Sequence, residues 1–247
     1  MKTISFVITF CTISIVSWSQ NVDEIIRRAD EKFRGESSKS KLTMIIERPT
    51  WSRKISMKSW TLGNEYSMIY ITAPAKEEGQ VFLKRGNQMW NWVPTIERMI
   101  KIPPSMMMQS WMGSDFTNDD LVNASSLVED YNNELLGEDT IRGFDCYKIK
   151  LIPKIDAPVV WGKIIMWVSK EEYHWLRGEY YDEEGNLVNT EIMMNIKKMD
   201  DREIPTRLEM IPADEEGQKT ILIFEEIEFN IDITESFFSQ QNMRRVR

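Results

Sequence analysis

The sequence predicts a mainly β chain, an antiparallel meander of about eleven strands, opened by one amphipathic helix. Three observations carry this expectation. From residue 41 onward, apolar residues recur with a period of two, as in Leu42, Met44 and Ile46, Tyr66, Met68 and Tyr70, or Ile192, Met194 and Ile196. That is the spacing of a strand with a buried face. The runs are separated by short turn signals, Gly63-Asn64, Arg85-Gly86-Asn87, Gly185-Asn186 and Glu216-Gly217, where glycine supplies the backbone freedom of a tight turn. Helical spacing is confined to two segments, so most strands must join directly rather than through crossover helices.

Taken in order, the first residues set the compartment. Lys2 precedes an apolar run over residues 4–16, and Ser17 and Ser19 stand as small residues before Gln20. This layout predicts a cleavable signal peptide at 1–19, with an apolar run too short to span a bilayer comfortably. Phe10 before Cys11 is too large for a lipoprotein processing site, so a soluble exported chain is expected, working in the periplasm. Cleavage leaves about 228 residues, read as one domain at 20–247 with a substantial core. Its single cysteine, Cys146, rules out an internal disulfide and reads as a small core residue. The net charge of −8 comes without a basic face and excludes a nucleic-acid partner.

Residues 22–33 place Val22, Ile25, Ile26, Ala29 and Phe33 at helical spacing, with Asp23 and Glu24 in the first turn, where acidic groups suit the helix dipole. Strands follow at 41–47, 52–62, 65–70, 80–86, 88–93, 146–152, 159–168, 175–181, 191–196, 206–211 and 220–229. Several are apolar on both faces: Ile164, Met166 and Val168 occupy one side, Ile165 and Trp167 the other. The second face must then be covered by helices, a second sheet or a ligand.

The meander breaks at Pro103-Pro104. A Met-rich stretch follows, and a helix is expected to begin within 115–121, with Thr117 and Asp120 as a capping pair. Leu121, Val122, Ala124, Ser125 and Val128 supply its buried side.

Residues able to carry chemistry are sparse. The lone His174 beside Trp175 reads as structural, and Gly113-Ser114-Asp115 lacks the second glycine of a nucleophile elbow. One histidine and one cysteine do not make a zinc site. Asp115, Asp119 and Asp120 lack calcium-loop spacing and suit helix capping. Asp182 with Glu183, and Glu225 with Glu226, point to opposite faces of a strand. Phosphate-binding glycine motifs are absent. No enzyme activity, metal or cofactor is therefore expected. The unusual material is sixteen methionines and nine tryptophans, flexible and bulky apolar groups suited to varied greasy partners. Met106, Met107 and Met108, just after the prolines, read as an apolar flap.

The stretch "FLKRGNQMWNWVPTIERMIKIPPSMMMQSWMGSDFTNDDL" resembles the outer-membrane lipoprotein-sorting family, relatives of the periplasmic carrier LolA. In that family a Trp-bearing strand ends in proline and is followed by a Gly-Ser-Asp-Phe segment and an acidic helix start. "LLGEDTIRGFDCYKIKLIPK", "YYDEEGNLVNTEIMMNIKKMDDREIPTRLEM" and "GQKTILIFEEIEFN" continue the resemblance in the same order. It implies an open antiparallel half-barrel with helices covering a concave apolar face, and no catalytic residues. It further implies a carrier that shields acyl chains of a lipoprotein or lipid on the way to an outer-membrane acceptor. The alternative is a sensor or accessory subunit of an inner-membrane lipid transporter of the RND type. The candidate lipid-binding residues are Trp90, Trp92, Met99, Met106, Met107, Met108, Trp111 and Met112 as mouth and flap, with Met166, Trp167, Met193 and Met194 as walls.

Overall fold

A helix opens the folded chain because Asn21 caps it: its side-chain oxygen accepts from the Asp23 backbone N–H at 3.2 Å. Helix α1 (Val22–Arg34) carries Asp23 and Glu24 in its first turn and Lys32 and Arg34 in its last, complementing the helix dipole at both ends. It buries Ile25, Ile26 and Ala29, as the spacing predicts, and stops at Gly35, whose φ of +67° suits only glycine well. The computed structural model describes residues 21–122, 127–157 and 159–247. The expected signal segment at 1–19, and Ala124 and Ser125 of the second expected helix, lie outside the described residues.

Beyond α1 the chain forms β1 (Ser37–Arg48), β2 (Trp51–Leu62), β3 (Tyr66–Ala73), β4 (Val81–Arg85), β5 (Gln88–Val93) and β6 (Arg98–Ile102). A long excursion holds the short helix α2 (Asn118–Val122). Then come β7 (Tyr131–Ile141), β8 (Phe144–Pro153), β9 (Lys163–Ser169), β10 (Trp175–Tyr181), β11 (Leu187–Met199), β12 (Arg202–Pro212) and β13 (Lys219–Phe229), and the short helix α3 (Gln240–Met243). The sheet has thirteen strands in the order β6-β5-β4-β3-β2-β1-β13-β12-β11-β10-β9-β8-β7. It is therefore two meanders joined where β1 pairs antiparallel with β13. The expected count of about eleven is corrected by two. The strands the pattern missed, β6 and β7, are the two edges, where pairing on one side only relaxes the demand for alternation.

The sheet is open, yet it curls. Ile69 on β3 and Ile164 on β9 line one cavity, although seven strand steps separate them in the sheet order. Flat, that would be about 34 Å at roughly 4.8 Å per strand. The inner face gathers one core, with Ile25 and Ile26 of α1 packed among Leu42, Met44, Ile55, Ile71, Ile149, Leu151, Met166 and Val168. Burying each such aliphatic side chain contributes about 1.5–3 kcal/mol. Helix α1 lies against β7, β9 and β12. Among the described residues α2 has five, and loop residues such as Trp111 and Phe116 carry the excursion into the core.

Both faces of several strands are indeed apolar, and the outer face has its own covers. On β9, Ile165 and Trp167 point outward into a cluster with Cys146 and Leu176, while the Lys148 and Arg177 cations lie 4.9 and 5.2 Å from the Trp167 ring. On the other meander, the tail after β13 folds back: Phe238, Met243 and Val246 cover Trp60, Met68, Tyr70, Val81 and Leu83. Neither a second sheet nor a ligand is needed there.

Candidate functional site

The inner face encloses a cavity of about 260 Å³, just below the roughly 300–1,000 Å³ usual for ligand sites. Its apolar wall comes from Leu42 and Met57 on the first meander, from Ile164, Met193, Leu208 and Met210 on the second, and from Phe116 and Leu127 of the excursion. Alternation along each strand places these side chains together: on β11, Asn189, Glu191 and Met193 are the buried positions. One end is polar and neutral. Ser38, Ser40, Ser59 and Thr61 form an inward hydroxyl row, with Ser38 Oγ and Thr61 Oγ1 2.7 Å apart. Beside it Arg34 of α1 pairs with Asp30, Nε to Oδ1 2.6 Å.

A second polar group is set into the apolar wall. The Tyr180 hydroxyl donates to Glu191 Oε2 at 2.8 Å, and Trp161 packs on Tyr180 with ring centroids 5.1 Å apart. The Trp161 indole N–H donates to Asp120 Oδ1 at 3.1 Å. Asp120 arrives by the capping pair read from the sequence: the Thr117 N–H donates to Asp120 Oδ2 at 2.8 Å and the Asp120 N–H to Thr117 Oγ1 at 3.1 Å. Gly178 faces Glu191 across the β10–β11 ladder; a Cβ there would stand 3.2 Å from both Glu191 Oε2 and the Tyr180 ring. Burial pushes the Glu191 carboxyl up to about 8, with nearby Asp120 adding to the rise and the Tyr180 hydroxyl opposing it. Burial raises Asp120 as well, against the hydrogen bonds from Thr117 and Trp161.

Of the twelve candidates, Met193 lines this cavity, and the others do not form a single constellation around it. Trp90, Trp92 and Met99 are directed to the outer face, against the cluster covered by the C-terminal tail; Arg244 of that tail lies 5.0 Å from the Trp92 ring. Met166 is fully buried in the inner core, Trp167 is on the outer face, and Met194 is half-buried on the face opposite Met193. Met107 and Met112 pack against the inner core, whereas Met106 and Met108 are exposed. The backbone of this Met-rich segment is held by the start of α2: the Asn118 amide donates to the Met106 carbonyl at 2.9 Å and the Asp119 N–H to that of Met107 at 3.2 Å.

Trp111 is fully buried, 5.1 Å from the Phe82 ring. The Gly-Ser-Asp-Phe segment makes that possible by folding on itself. Ser114 Oγ donates to the Trp111 carbonyl at 2.7 Å, and the Trp111 N–H donates to the Phe116 carbonyl at 2.8 Å, so Trp111 and Phe116 enter the core together.

His174 is buried at the β9–β10 turn, its Nε2 3.0 Å from the Glu203 carbonyl, and it does not line the cavity. Burial holds its pKa below the ordinary histidine value. Among the described residues, no group of three or more His, Cys, Asp and Glu side chains converges as a metal site, and no helix is long and apolar enough to cross a membrane.

A family model described as uncharacterized protein matches residues 63–245. No curated protein matches the sequence. Solved structures do. A DUF1329 family protein from Desulfovibrio piger superposes with a TM-score of 0.81 at 25% identity, covering 90% of this chain and 97% of its own. A LolA superfamily protein from Nitrosomonas europaea gives 0.78 at 25% identity, covering 89% and 98%. An outer membrane lipoprotein-sorting protein domain from Vibrio parahaemolyticus shares the fold, with a TM-score of 0.79 at 23% identity over 91% and 100% of the two chains. The chain belongs to the family matched over residues 63–245, and its fold is that of a LolA superfamily protein.

Proposed function

We propose that this chain is a non-enzymatic periplasmic carrier, exported by its N-terminal segment, that shields the acyl chain of a lipid or lipoprotein on its way toward the outer membrane. The observation that carries this reading is the apolar cavity of about 260 Å³ inside the curled sheet. Each methylene taken into it contributes about 0.8 kcal/mol, so part of one acyl chain outweighs a substantial association cost. Met57, Met193 and Met210 line the wall, and unbranched thioether side chains re-pack around chains of different shape at low cost. The similarity to a LolA superfamily protein and to a lipoprotein-sorting domain supports the same reading.

The test is mass spectrometry of lipids extracted from the protein purified without detergent from its own cell envelope, with an acyl-probe titration alongside. Wild type should carry an acylated molecule and bind the probe, and Leu208→Trp, which fills the cavity, should lower probe affinity at least tenfold while the chain still folds. Probe affinity unchanged by Leu208→Trp would sink the cavity as the binding site.

A second reading, an accessory subunit of an inner-membrane transporter, draws on the exposed apolar side chains Ile96, Ile100, Met106 and Met108. A stable stoichiometric complex without lipid transfer between vesicles would favour it over carriage.

A further inference from the structure

Among the described residues, two carboxyl groups in the cavity wall have no counter-ion. Among the described residues, Glu191 makes one hydrogen bond, from Tyr180 to Oε2, and its other oxygen is unpartnered, although the residue is only 4% exposed and lines the cavity. Asp120 is held by Thr117 and Trp161, again with no cation. A pair of buried acids is a poor way to build an apolar wall: matched aliphatic side chains would cost less. Gly178 shows that room is kept for the arrangement, since any side chain there would crowd Glu191 and Tyr180.

We propose that Glu191 and Asp120 form a subsite for a primary ammonium group carried on the acyl or alkyl ligand, the cation completing the hydrogen bonds that the wall leaves open. This rests on the carrier reading of the cavity and names the chemistry of its cargo. An ammonium offers three donors, enough for the open oxygen of Glu191 and for Asp120 while the tail lies among Met193, Ile164 and Leu208. Charge-assisted bonds of this kind are stronger than neutral ones, and the cavity wall shields them from water. The remaining charged groups lining the cavity are Asp30 and Arg34 of α1, paired with each other, and Asp119 at the start of α2. With Glu191 protonated up to about pH 8 in the empty cavity, binding a cation displaces a proton. Affinity for an amine should therefore rise as pH increases from 6 toward 8.

The ammonium could belong to an ethanolamine head group or to a free amine, and the probes separate the two. Wild type, Glu191→Gln and Asp120→Asn are titrated with dodecylamine, lysophosphatidylethanolamine and dodecanol, following tryptophan fluorescence, since Trp161 lies in the cavity wall. Loss of one charged hydrogen bond predicts a drop of roughly tenfold or more in amine affinity for Glu191→Gln, with dodecanol binding unchanged. A response from dodecylamine alone identifies a free amine, and one from the lysolipid alone identifies the head group. Equal losses for all three probes, or none, overturn the subsite and leave the carrier reading standing. Failure of every probe to bind wild type overturns both. Thermal melts of the two variants confirm that each is folded, and Asp120→Asn supplies the same comparison should Glu191→Gln unfold.

Discussion

Arg48 grips Asp115 with both arms of its guanidinium, Nη1 to Oδ2 at 3.1 Å and Nη2 to Oδ1 at 2.9 Å, with side chains only 13% and 7% exposed. Thr220 closes the arrangement: its hydroxyl donates to Asp115 Oδ2 at 2.7 Å and accepts from the Asp115 N–H at 2.9 Å. At the junction of β1 and β13 this clasp fixes the loop that carries Trp111 and Phe116 into the core. Asp115→Ala leaves the Arg48 cation buried and unpaired, which costs about 3–5 kcal/mol. Urea unfolding should show that loss, and Arg48→Met in the same background should recover part of it. An Asp115→Ala loss below about 1 kcal/mol, the range of an exposed pair, would refute the clasp.

Trp111 and Met108, three residues apart, should answer mutation in opposite ways. Trp111→Ala empties a fully buried site beside Phe82 and should cost about 3–5 kcal/mol. Met108 is 51% exposed, so Met108→Ser should change stability by less than about 0.5 kcal/mol. Parallel denaturation curves decide the point; equal losses at the two positions would contradict the placement of this loop.

Much of the fold was legible because strand periodicity is local. Helix α1, the strands flanked by Gly63, Gly86 and Gly185, and the Thr117–Asp120 cap all follow from neighbours in sequence. Which face looks inward was not legible, because both faces are apolar. On β11 the pattern favours Ile192, Met194 and Ile196, yet the buried positions are Asn189, Glu191 and Met193. A one-residue shift in phase reverses every side chain, and composition cannot choose between two greasy phases. For the same reason the face taken by Trp90 and Trp92 was not legible: nothing local to them announces that a tail about 150 residues later covers their side of the sheet. Tyr180, Trp161 and Glu191 carried no signal as separate residues. Only the pairing of β10 with β11 and the return of the 115–122 loop bring them within reach of Asp120.

That tail makes its own prediction. Phe238 and Met243 are fully buried over Trp60, Met68 and Leu83, so the outer face of the first meander depends on them. Phe238→Ala should cost about 3 kcal/mol or more. Removing residues 231–247 should go further and expose a patch that binds a hydrophobic dye at temperatures where the intact chain does not. A truncated chain with unaltered melting and no dye binding would show that the tail does not cover this face.

The acid set into the cavity wall makes stability depend on pH in a definite direction. Glu191 has an ordinary carboxyl value of 4.5 when the chain is unfolded and about 8 when folded. Between those values the folded state holds a proton that the unfolded state has released, so stability falls as pH rises. The slope approaches 1.4 kcal/mol per pH unit in the middle of that window, at about pH 6, and fades once pH exceeds the folded value. Asp120, also raised by burial, acts in the same sense. His174 works the other way: its lowered value means that the folded state resists a proton the unfolded state accepts, so stability drops as pH falls below about 6.5. Glu191→Gln keeps the shape and the acceptor for Tyr180 but cannot ionise. It should match wild type near pH 5 and become the more stable of the two by pH 8, while His174→Gln should flatten only the acidic side. Melting curves of the three proteins from pH 5 to 9 test this together, and a wild-type minus Glu191→Gln difference that stays constant with pH would mean that Glu191 is ionised in the folded protein.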